Sequence, residues 1–258
     1  MRNRIFMRRI PLALFSEKHY DSENVMTTQM MKGFCFVPLL ILLVSGCASQ
    51  NQTAAGIRYY GQAQYDAAMT AFQSVLKTNP NDPNTLYNIA ATYHQSAKVS
   101  HQSGQSATAQ QHYEQAAQYY QLCLAKDVNH ADAYRGLTAL YMDCQKAEAA
   151  FQLLTGWYNA NPVSAEPKLE LARLYQEYAK ICTVQGHADV AQDCRKTAEH
   201  YLQQVLATDS MNYRAFRALG YLKEESGDIA GAVFEYQRSL QTNPQQQDLE
   251  NRIAALTK

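Results

Sequence analysis

The chain has 258 residues, 47% of them hydrophobic, and its formal net charge at pH 7 is zero. This length and apolar content suffice for a sizeable core or for a stack of repeats that share one. A surface for nucleic acid is not expected, because the chain has no excess of Lys and Arg. Glycine and proline are scarce, with 11 and 7 residues, and no segment alternates apolar and polar residues as a strand does. The composition therefore predicts an all-α protein.

The first part of the chain is predicted to be a leader that precedes the folded region. An apolar run over residues 34–44 follows Met31 and Lys32. The run is too short to span a bilayer, which takes about 20 residues. A positive start, a short apolar core and small residues before a cleavage site are typical of a secretory signal, which is predicted here over 31–46. Residues 1–30 fit no signal and are interpreted as a mis-started or disordered extension.

The segment Val44-Ser45-Gly46-Cys47 at the end of the apolar run resembles the bacterial lipobox. In lipoproteins the peptide is cut before this cysteine and the thiol is acylated, so the resemblance implies a lipid on Cys47. Ala48 stands where an Asp tends to retain such proteins in the inner membrane, which implies the periplasmic face of the outer membrane. The alternative is an ordinary cleaved signal that happens to end in cysteine. Residues 47–53 would then be a lipidated tether, followed by the folded region at 54–258.

Helical hairpins are predicted for the rest of the chain, and 213–244 shows the pattern. Apolar residues at helical spacing mark two helices on either side of a short polar turn at 226–228. The central glycine of that turn accepts a left-handed backbone, and the aspartate after it can cap the next helix. Asn243-Pro244 ends the second helix, because a residue before proline leaves the α region. The apolar positions are Phe216, Leu219, Leu222, Ala232, Tyr236 and Leu240.

The order of residues in this hairpin resembles the tetratricopeptide repeat (TPR), a helix–turn–helix unit of about 34 residues. Leu219-Gly220, the tight turn, small Ala232, aromatic Tyr236 and the final proline carry the resemblance. It implies an all-α, right-handed solenoid of about five helical hairpins, closed by a C-terminal capping helix. The implied repeats are 49–82, 83–130, 131–164, 165–212 and 213–246, with the cap at 247–258.

Two of these repeats are longer than the others. Asn-Pro recurs at 79–80, 161–162 and 243–244, at intervals of 82 residues, which exceeds two standard repeats by about 14 residues. The second and fourth repeats align at the same offset, and Gly104 pairs with Gly186, so hairpin turns are predicted there. The extra residues then divide into about seven per helix, which lengthens each helix by roughly 10 Å. The alignment indicates duplication of a two-repeat unit.

Catalytic motifs are not found in the sequence. It has no HExxH, no GxSxG and no glycine-rich phosphate loop, so we expect no enzyme, no cofactor and no small-molecule substrate. His101 and His112 flank the predicted turn of the second hairpin, but two histidines without a carboxylate or thiolate make a poor metal site. A metal site is therefore not predicted.

The TPR resemblance implies a concave groove, lined by the first helices of successive repeats, that binds a protein or peptide partner. Small Ala91 and Ala139 would leave room for it. Tyrosine and methionine offer adaptable apolar contact, and arginine can pair with acidic groups. The alternative is that these residues are only the less buried face of the helices. The predicted groove residues are Tyr60, Tyr87, Asn88, His94, Arg135, Met142, Arg173, Arg217 and Tyr221.

Cys182 and Cys194 lie almost symmetrically about the Gly186 turn, at similar height on opposite arms of the fourth hairpin. The periplasm permits disulfides, so we predict a disulfide between them, with two free thiols on different faces as the alternative. The equivalent residues of the second hairpin are Ser100 and His112, which cannot form such a bridge.

The sequence as a whole predicts an outer-membrane lipoprotein with a periplasmic TPR solenoid that acts as a scaffold or adaptor, for example in envelope, pilus or secretion assembly. A structural homo-oligomer built by repeat stacking is the first alternative. A metal-binding or enzymatic accessory protein is the second, and the missing motifs argue against it.

Overall fold

The computed structural model describes residues 39–257 of the chain, with side chains from residue 50 onward. The predicted extension at 1–30 and residues 31–38 of the predicted signal lie outside the described residues, as does the side chain of Cys47. The predicted tether at 47–53 lies within the first helix, where its backbone is helical. Within residues 39–257, no helix combines the length and the apolar character that a membrane crossing needs.

The described part of the chain consists of eleven α-helices without a strand, which confirms the predicted all-α class. Consecutive helices pair into five hairpins, and the eleventh helix follows the last hairpin. The helices are α1 (Leu39–Gly61), α2 (Tyr65–Thr78), α3 (Pro83–Gln102), α4 (Ser106–Lys126), α5 (Ala131–Asp143), α6 (Ala147–Ala160), α7 (Ala165–Val184), α8 (Ala188–Thr208), α9 (Tyr213–Glu225), α10 (Ile229–Thr242) and α11 (Gln247–Leu256).

The second and fourth hairpins are the long ones, as predicted. Their first helices, α3 and α7, have 20 residues each, and their second helices, α4 and α8, have 21. The helices of the third and fifth hairpins have 13 and 14 residues. Each long helix is therefore seven residues longer than its counterpart, which confirms the even division of the extra residues.

The turns inside the hairpins share one backbone geometry. Each contains a residue with positive φ, and these residues follow one another at intervals of 41: Ala63, Gly104, Gln145, Gly186 and Gly227. The amide of the next residue donates back across the turn to the helix before it, for example from Gln105 N to Ser100 O at 2.9 Å. This is the bond that closes a helix ending in a left-handed residue. Glycine suits the position because it has no Cβ, yet two of the five turns use alanine and glutamine.

We expect Ala63→Gly and Gln145→Gly each to stabilise the protein by about 1 kcal/mol, because a residue with a Cβ pays about that much to hold a left-handed backbone. Both side chains are exposed, so no packing is lost. Urea unfolding at pH 7 measures the change. Gly104→Ala should lower the free energy of unfolding by about as much as these two changes raise it. A lower free energy of unfolding for Ala63→Gly and Gln145→Gly would contradict the expectation.

The first helices of hairpins two to five form the inner row of the stack. α3 contacts α5, α5 contacts α7 and α7 contacts α9, whereas among the described helices no such contacts join successive members of α4, α6, α8 and α10. A stack whose first helices lie closer together than its second helices curves toward the first helices. The concave face of this part of the chain is therefore built from α3, α5, α7 and α9.

Small residues let the two helices of a hairpin approach closely. Ala90 and Ala116 share one core cluster and are fully buried, and Ala172 and Ala198 do the same in the fourth hairpin. In the fifth hairpin a glycine, Gly220, lies directly against the ring of Tyr236. Tyr236 also packs with fully buried Leu249 of α11, so the capping helix covers the open end of the last repeat.

Candidate partner-binding pocket on the concave face

A pocket of about 520 Å³ lies on the concave face between α7 and α9. The two helices run in the same direction, since Glu166 meets Arg214 near their starts and Lys180 meets Glu225 near their ends. Seven of the lining residues are charged and two are tyrosines. The lining residues are Leu169, Glu170, Arg173, Gln176, Glu177, Lys180, Tyr213, Arg214, Arg217, Ala218, Tyr221 and Glu225.

Glu170 lies at the bottom of the pocket and is surrounded by arginines. Its side chain is only 2% exposed. Arg135 of α5 donates from Nη2 to Oε1 at 2.7 Å, and Arg173 donates from Nε to Oε2 at 2.8 Å. Arg214 of α9 places a third guanidinium 3.5 Å from the carboxylate. One buried carboxylate thus links three successive first helices of the solenoid.

The arginines keep this carboxylate ionised. Burial by itself would raise the pKa of Glu170, but the hydrogen bonds and charges of Arg135 and Arg173 outweigh it, and the pKa lies below its ordinary value of 4.5. Burial would likewise lower the pKa of Arg135, and the bond to Glu170 raises it instead. Glu170 and Arg135 are therefore both charged at neutral pH.

The C-terminal helix α11 contributes no residue to the lining of the pocket, but it bonds to the α9 wall, and this edge is called the rim below. Asp248 accepts a hydrogen bond from Arg217 Nη2 at 2.5 Å. Arg252 donates twice to Glu224, at 2.6 and 2.7 Å, and its guanidinium lies 5.0 Å from the centre of the Tyr221 ring. The capping helix therefore fixes the positions of Arg217 and Tyr221, two residues that line the pocket.

Four of the nine predicted groove residues belong to this site. Arg173, Arg217 and Tyr221 line the pocket, and Arg135 reaches its floor through Glu170. The three arginines are predicted from the sequence to pair with acidic groups of another protein. In the structure each of them already pairs with a carboxylate of this chain.

Five predicted groove residues lie outside the pocket, on α1, α3 and α5. Two of them are half-buried tyrosines that contact other rings: Tyr60 meets Tyr65 edge-on at 5.9 Å, and Tyr87 stacks on His130 at 5.3 Å between ring centres. A role in binding a partner stays a prediction for all five. They are Tyr60, Tyr87, Asn88, His94 and Met142.

His94 and Met142 pack between hairpins. The His94 side chain is buried, and its Nε2 lies 2.9 Å from Asp143 Oδ2 at the end of α5. Burial lowers the pKa of His94 more than the bond to Asp143 raises it. Met142 is half-buried and packs against the cluster that contains Trp157 and Leu171. His94 therefore joins the second hairpin to the third, and Met142 packs where the third hairpin meets the fourth.

Sequence reasoning missed Glu170, Arg214 and Tyr213, which contribute to the floor and wall of the pocket. A signal for the ion cluster was present. Arg135 is the fifth residue of α5 and Glu170 the sixth residue of α7, the next first helix, and Arg214 lies in the first turn of α9 beyond it. An acidic residue flanked by arginines at the same level of the neighbouring helices predicts ion pairs across a stack.

Two segments of the chain match models of a known repeat family. Residues 56–96 match a model described as a TPR repeat, and residues 183–247 match one described as a tetratricopeptide repeat. In the structure both matched segments consist of consecutive α-helices joined by short turns, as TPR units do. The chain folds as a TPR solenoid. No curated protein matches its sequence.

Solved structures agree with this fold. A thermophilic TPR protein of Thermus thermophilus has a TM-score of 0.53 and 24% identity, over 81% of this chain and 98% of that one. An IFIT1 monomeric mutant with Gppp-AAAA has a TM-score of 0.50 and 13% identity, over 75% of this chain and 47% of that one. At these identities the likeness concerns the fold alone. TPR proteins generally mediate protein–protein interaction and are generally non-enzymatic scaffolds.

The cysteines predicted to form a disulfide lie together in the TPR solenoid. Cys182 and Cys194 are buried in one cluster with Ala179 and Ala191, and both carry free thiols in this structure. Burial raises the pKa of Cys194, and the neighbouring Cys182 raises it further. Among the described residues, no group of three or more His, Cys, Asp or Glu is arranged to hold a metal ion.

We expect oxidation to join Cys182 to Cys194 and to raise the free energy of unfolding by at most about 3 kcal/mol, less any strain, because it closes a short loop. Alkylation and mass spectrometry of unreduced protein exported to the periplasm detect the bridge, and urea unfolding with and without reductant measures its effect. Cys194→Ser should abolish the effect of reductant. Two alkylated thiols in the exported protein would show that the bridge does not form.

Proposed function

We propose that this TPR solenoid is a periplasmic scaffold, held at the outer membrane by a lipid on Cys47, that binds a segment of a protein partner between α7 and α9. The pocket is the observation that carries the proposal. Its volume of about 520 Å³ suits a short chain segment. Tyr213 and Tyr221 offer rigid contact area that loses little conformational freedom on binding. The charged side chains around them would orient the bound segment.

The proposed anchor is supported by the sequence before the solenoid. Val44-Ser45-Gly46-Cys47 stands at the end of a short apolar run, where a lipoprotein signal is cut. A lipid chain on Cys47 would hold the solenoid at a membrane surface without a spanning helix, although a single acyl chain by itself binds only reversibly. A scaffold in this position fits the assembly of an envelope, pilus or secretion complex.

Lipidation is tested by Cys47→Ser in a double-membraned bacterial host fed an alkyne fatty acid. We expect label and membrane association to be lost, because the acylated thiol is gone. Cys35→Ser, within the predicted signal, is the matched control and should keep both. If Cys47→Ser leaves the mass and the membrane fractionation of the protein unchanged, the proposed anchor is wrong.

Partner binding is tested by a photocrosslinking amino acid placed at Tyr213, in the pocket wall, or at Val163, which is 84% exposed in the loop before α7. We expect a crosslinked partner only from position 213. Ala218→Trp, which places a large side chain in the pocket, should abolish this crosslink while the circular dichroism spectrum stays unchanged. Equal crosslinking from both positions, or none, would contradict the proposed site. A crosslinked second copy of this chain would favour the homo-oligomer instead.

A further inference from the structure

Charge is distributed unevenly along the pocket between α7 and α9. Near the helix starts the pocket is lined by three arginines, Arg173, Arg214 and Arg217, and by one carboxylate, Glu170. The carboxylates that also pair with Arg214 and Arg217, Glu166 and Asp248, lie outside the lining. Near the helix ends, carboxylates outnumber basic groups in the lining. There Lys180 lies between Glu177 and Glu225, at 3.2 and 3.3 Å. About seven residues of α7, or roughly 10 Å, separate the two ends, so a segment of three or four extended residues would span them.

Arg173 has hydrogen-bonding capacity that the chain does not use. Its Nε donates to Glu170, but its Nη2 is buried and has no hydrogen-bond partner among the side chains and backbone that the structure describes. A charged donor without an acceptor costs free energy. The Arg173 side chain is 37% exposed, so its guanidinium can turn toward an acceptor in the pocket and recover that cost. Because guanidinium groups pair best with carboxylates, an acidic side chain is the acceptor that fits this position.

Arg217, on the opposite wall, is held by a carboxylate that lies outside the pocket. Asp248 belongs to α11, and its side chain is 59% exposed. An ion pair this exposed contributes little stability, so a second carboxylate can replace Asp248 at small cost. The capping helix thus supplies a resident acidic group at the rim, where it competes with any acidic ligand for Arg217.

We propose that the pocket recognises an acidic side chain on an extended partner segment, which binds Arg173 and Arg217 and displaces Asp248. This inference rests on the proposed function and names the chemistry of its partner. The carboxylates of Glu177 and Glu225 repel a second acidic residue at the other end, so the segment binds in one direction. The affinity for the segment is lowered by the pair between Asp248 and Arg217, which the segment must break to bind.

The test is a selection of peptides from an unbiased displayed library on the purified full-length protein. Ala218→Trp serves as the counter-selection, so that only binders of the pocket are kept. We expect these binders to share an Asp or Glu at one position. A synthetic binder with that residue changed to its amide should bind about tenfold more weakly, as should the original binder to Arg173→Gln or Arg217→Gln.

Asp248→Asn gives the sharpest readout, because it should tighten binding several-fold by removing the competing carboxylate. Glu250→Gln removes the same charge from the same helix without touching Arg217, and should change affinity less than about twofold. If Arg173→Gln does not fold, Arg217→Gln and Asp248→Asn still decide the matter, since both residues lie at the rim.

The outcomes separate the two proposals. Pocket-dependent binders without an acidic residue, or an amide peptide that binds equally well, would overturn the acidic preference and leave peptide binding in place. Equal effects of Asp248→Asn and Glu250→Gln would overturn the competition by Asp248. If no binder is sensitive to Ala218→Trp, the proposed function itself fails.

Discussion

Glu170→Ala is expected to lower the free energy of unfolding by about 3 kcal/mol, because it leaves several guanidinium groups around an empty site. Breaking a fully buried pair costs somewhat more, but Arg135, Arg173 and Arg214 are each about a third exposed and regain some hydration. Glu170→Gln keeps the shape of the side chain and loses only its charge, so we expect the free energy of unfolding to fall by about 2 kcal/mol. Urea unfolding at pH 7 measures both.

The effect of Glu170 should depend on pH in one direction. The folded-state pKa lies below the ordinary value of 4.5, so the stabilising contribution is fully present above about pH 4.5 and is lost as the pH falls through the folded-state pKa. The difference between wild type and Glu170→Gln should therefore be constant from pH 7 to pH 5 and shrink toward pH 3. A difference that grows on acidification would contradict the assigned shift.

Glu177→Ala is the matched control on the same helix. Its side chain is 50% exposed and, among the described residues, pairs with Lys180 alone, at the open end of the pocket. We therefore expect a change within about 0.5 kcal/mol. If Glu177→Ala costs as much as Glu170→Ala, the stabilisation comes from charge on α7 in general rather than from the buried cluster.

Gly220→Val is expected to cost about 3 kcal/mol through overpacking. A Cβ at this position would lie 2.3 Å from Cδ1 and Cε1 of Tyr236. The ring cannot move aside, because Tyr236 is fully buried, donates to Glu224 at 2.7 Å and packs against Leu249 of the capping helix. Thermal and urea unfolding measure the loss.

Gly156→Val tests whether a steric clash is the cause. Gly156 also lies inside a helix, α6, but a Cβ there meets nothing within 4 Å, so the change should be within about 0.5 kcal/mol. Tyr236→Ala in the Gly220→Val chain makes room for the valine, and the double variant should lose less stability than the two single losses added together. Strict additivity would show that the glycine and the tyrosine are not coupled.

The sequence by itself determined the number, type and length of the repeating elements. Helix starts, helix stops and turns depend on a few adjacent residues, so Asn243-Pro244 and the glycines at 104, 186 and 227 marked their places. The interval of 82 residues between Asn-Pro pairs indicated the two long hairpins. The turns at Ala63 and Gln145 carry no such local mark, and they were not predicted from the sequence.

The tertiary structure alone decided what the concave face presents. Arg135 and Glu170 are 35 residues apart, and Arg217 and Asp248 are 31 apart, so their pairing depends on how neighbouring repeats stack. The TPR resemblance placed the arginines on the inner face but could not show that this chain supplies their carboxylates. It also could not show that Arg173 keeps an unused donor. Local backbone chemistry sets the elements, whereas side chains from different repeats meet only through the long-range packing of those elements.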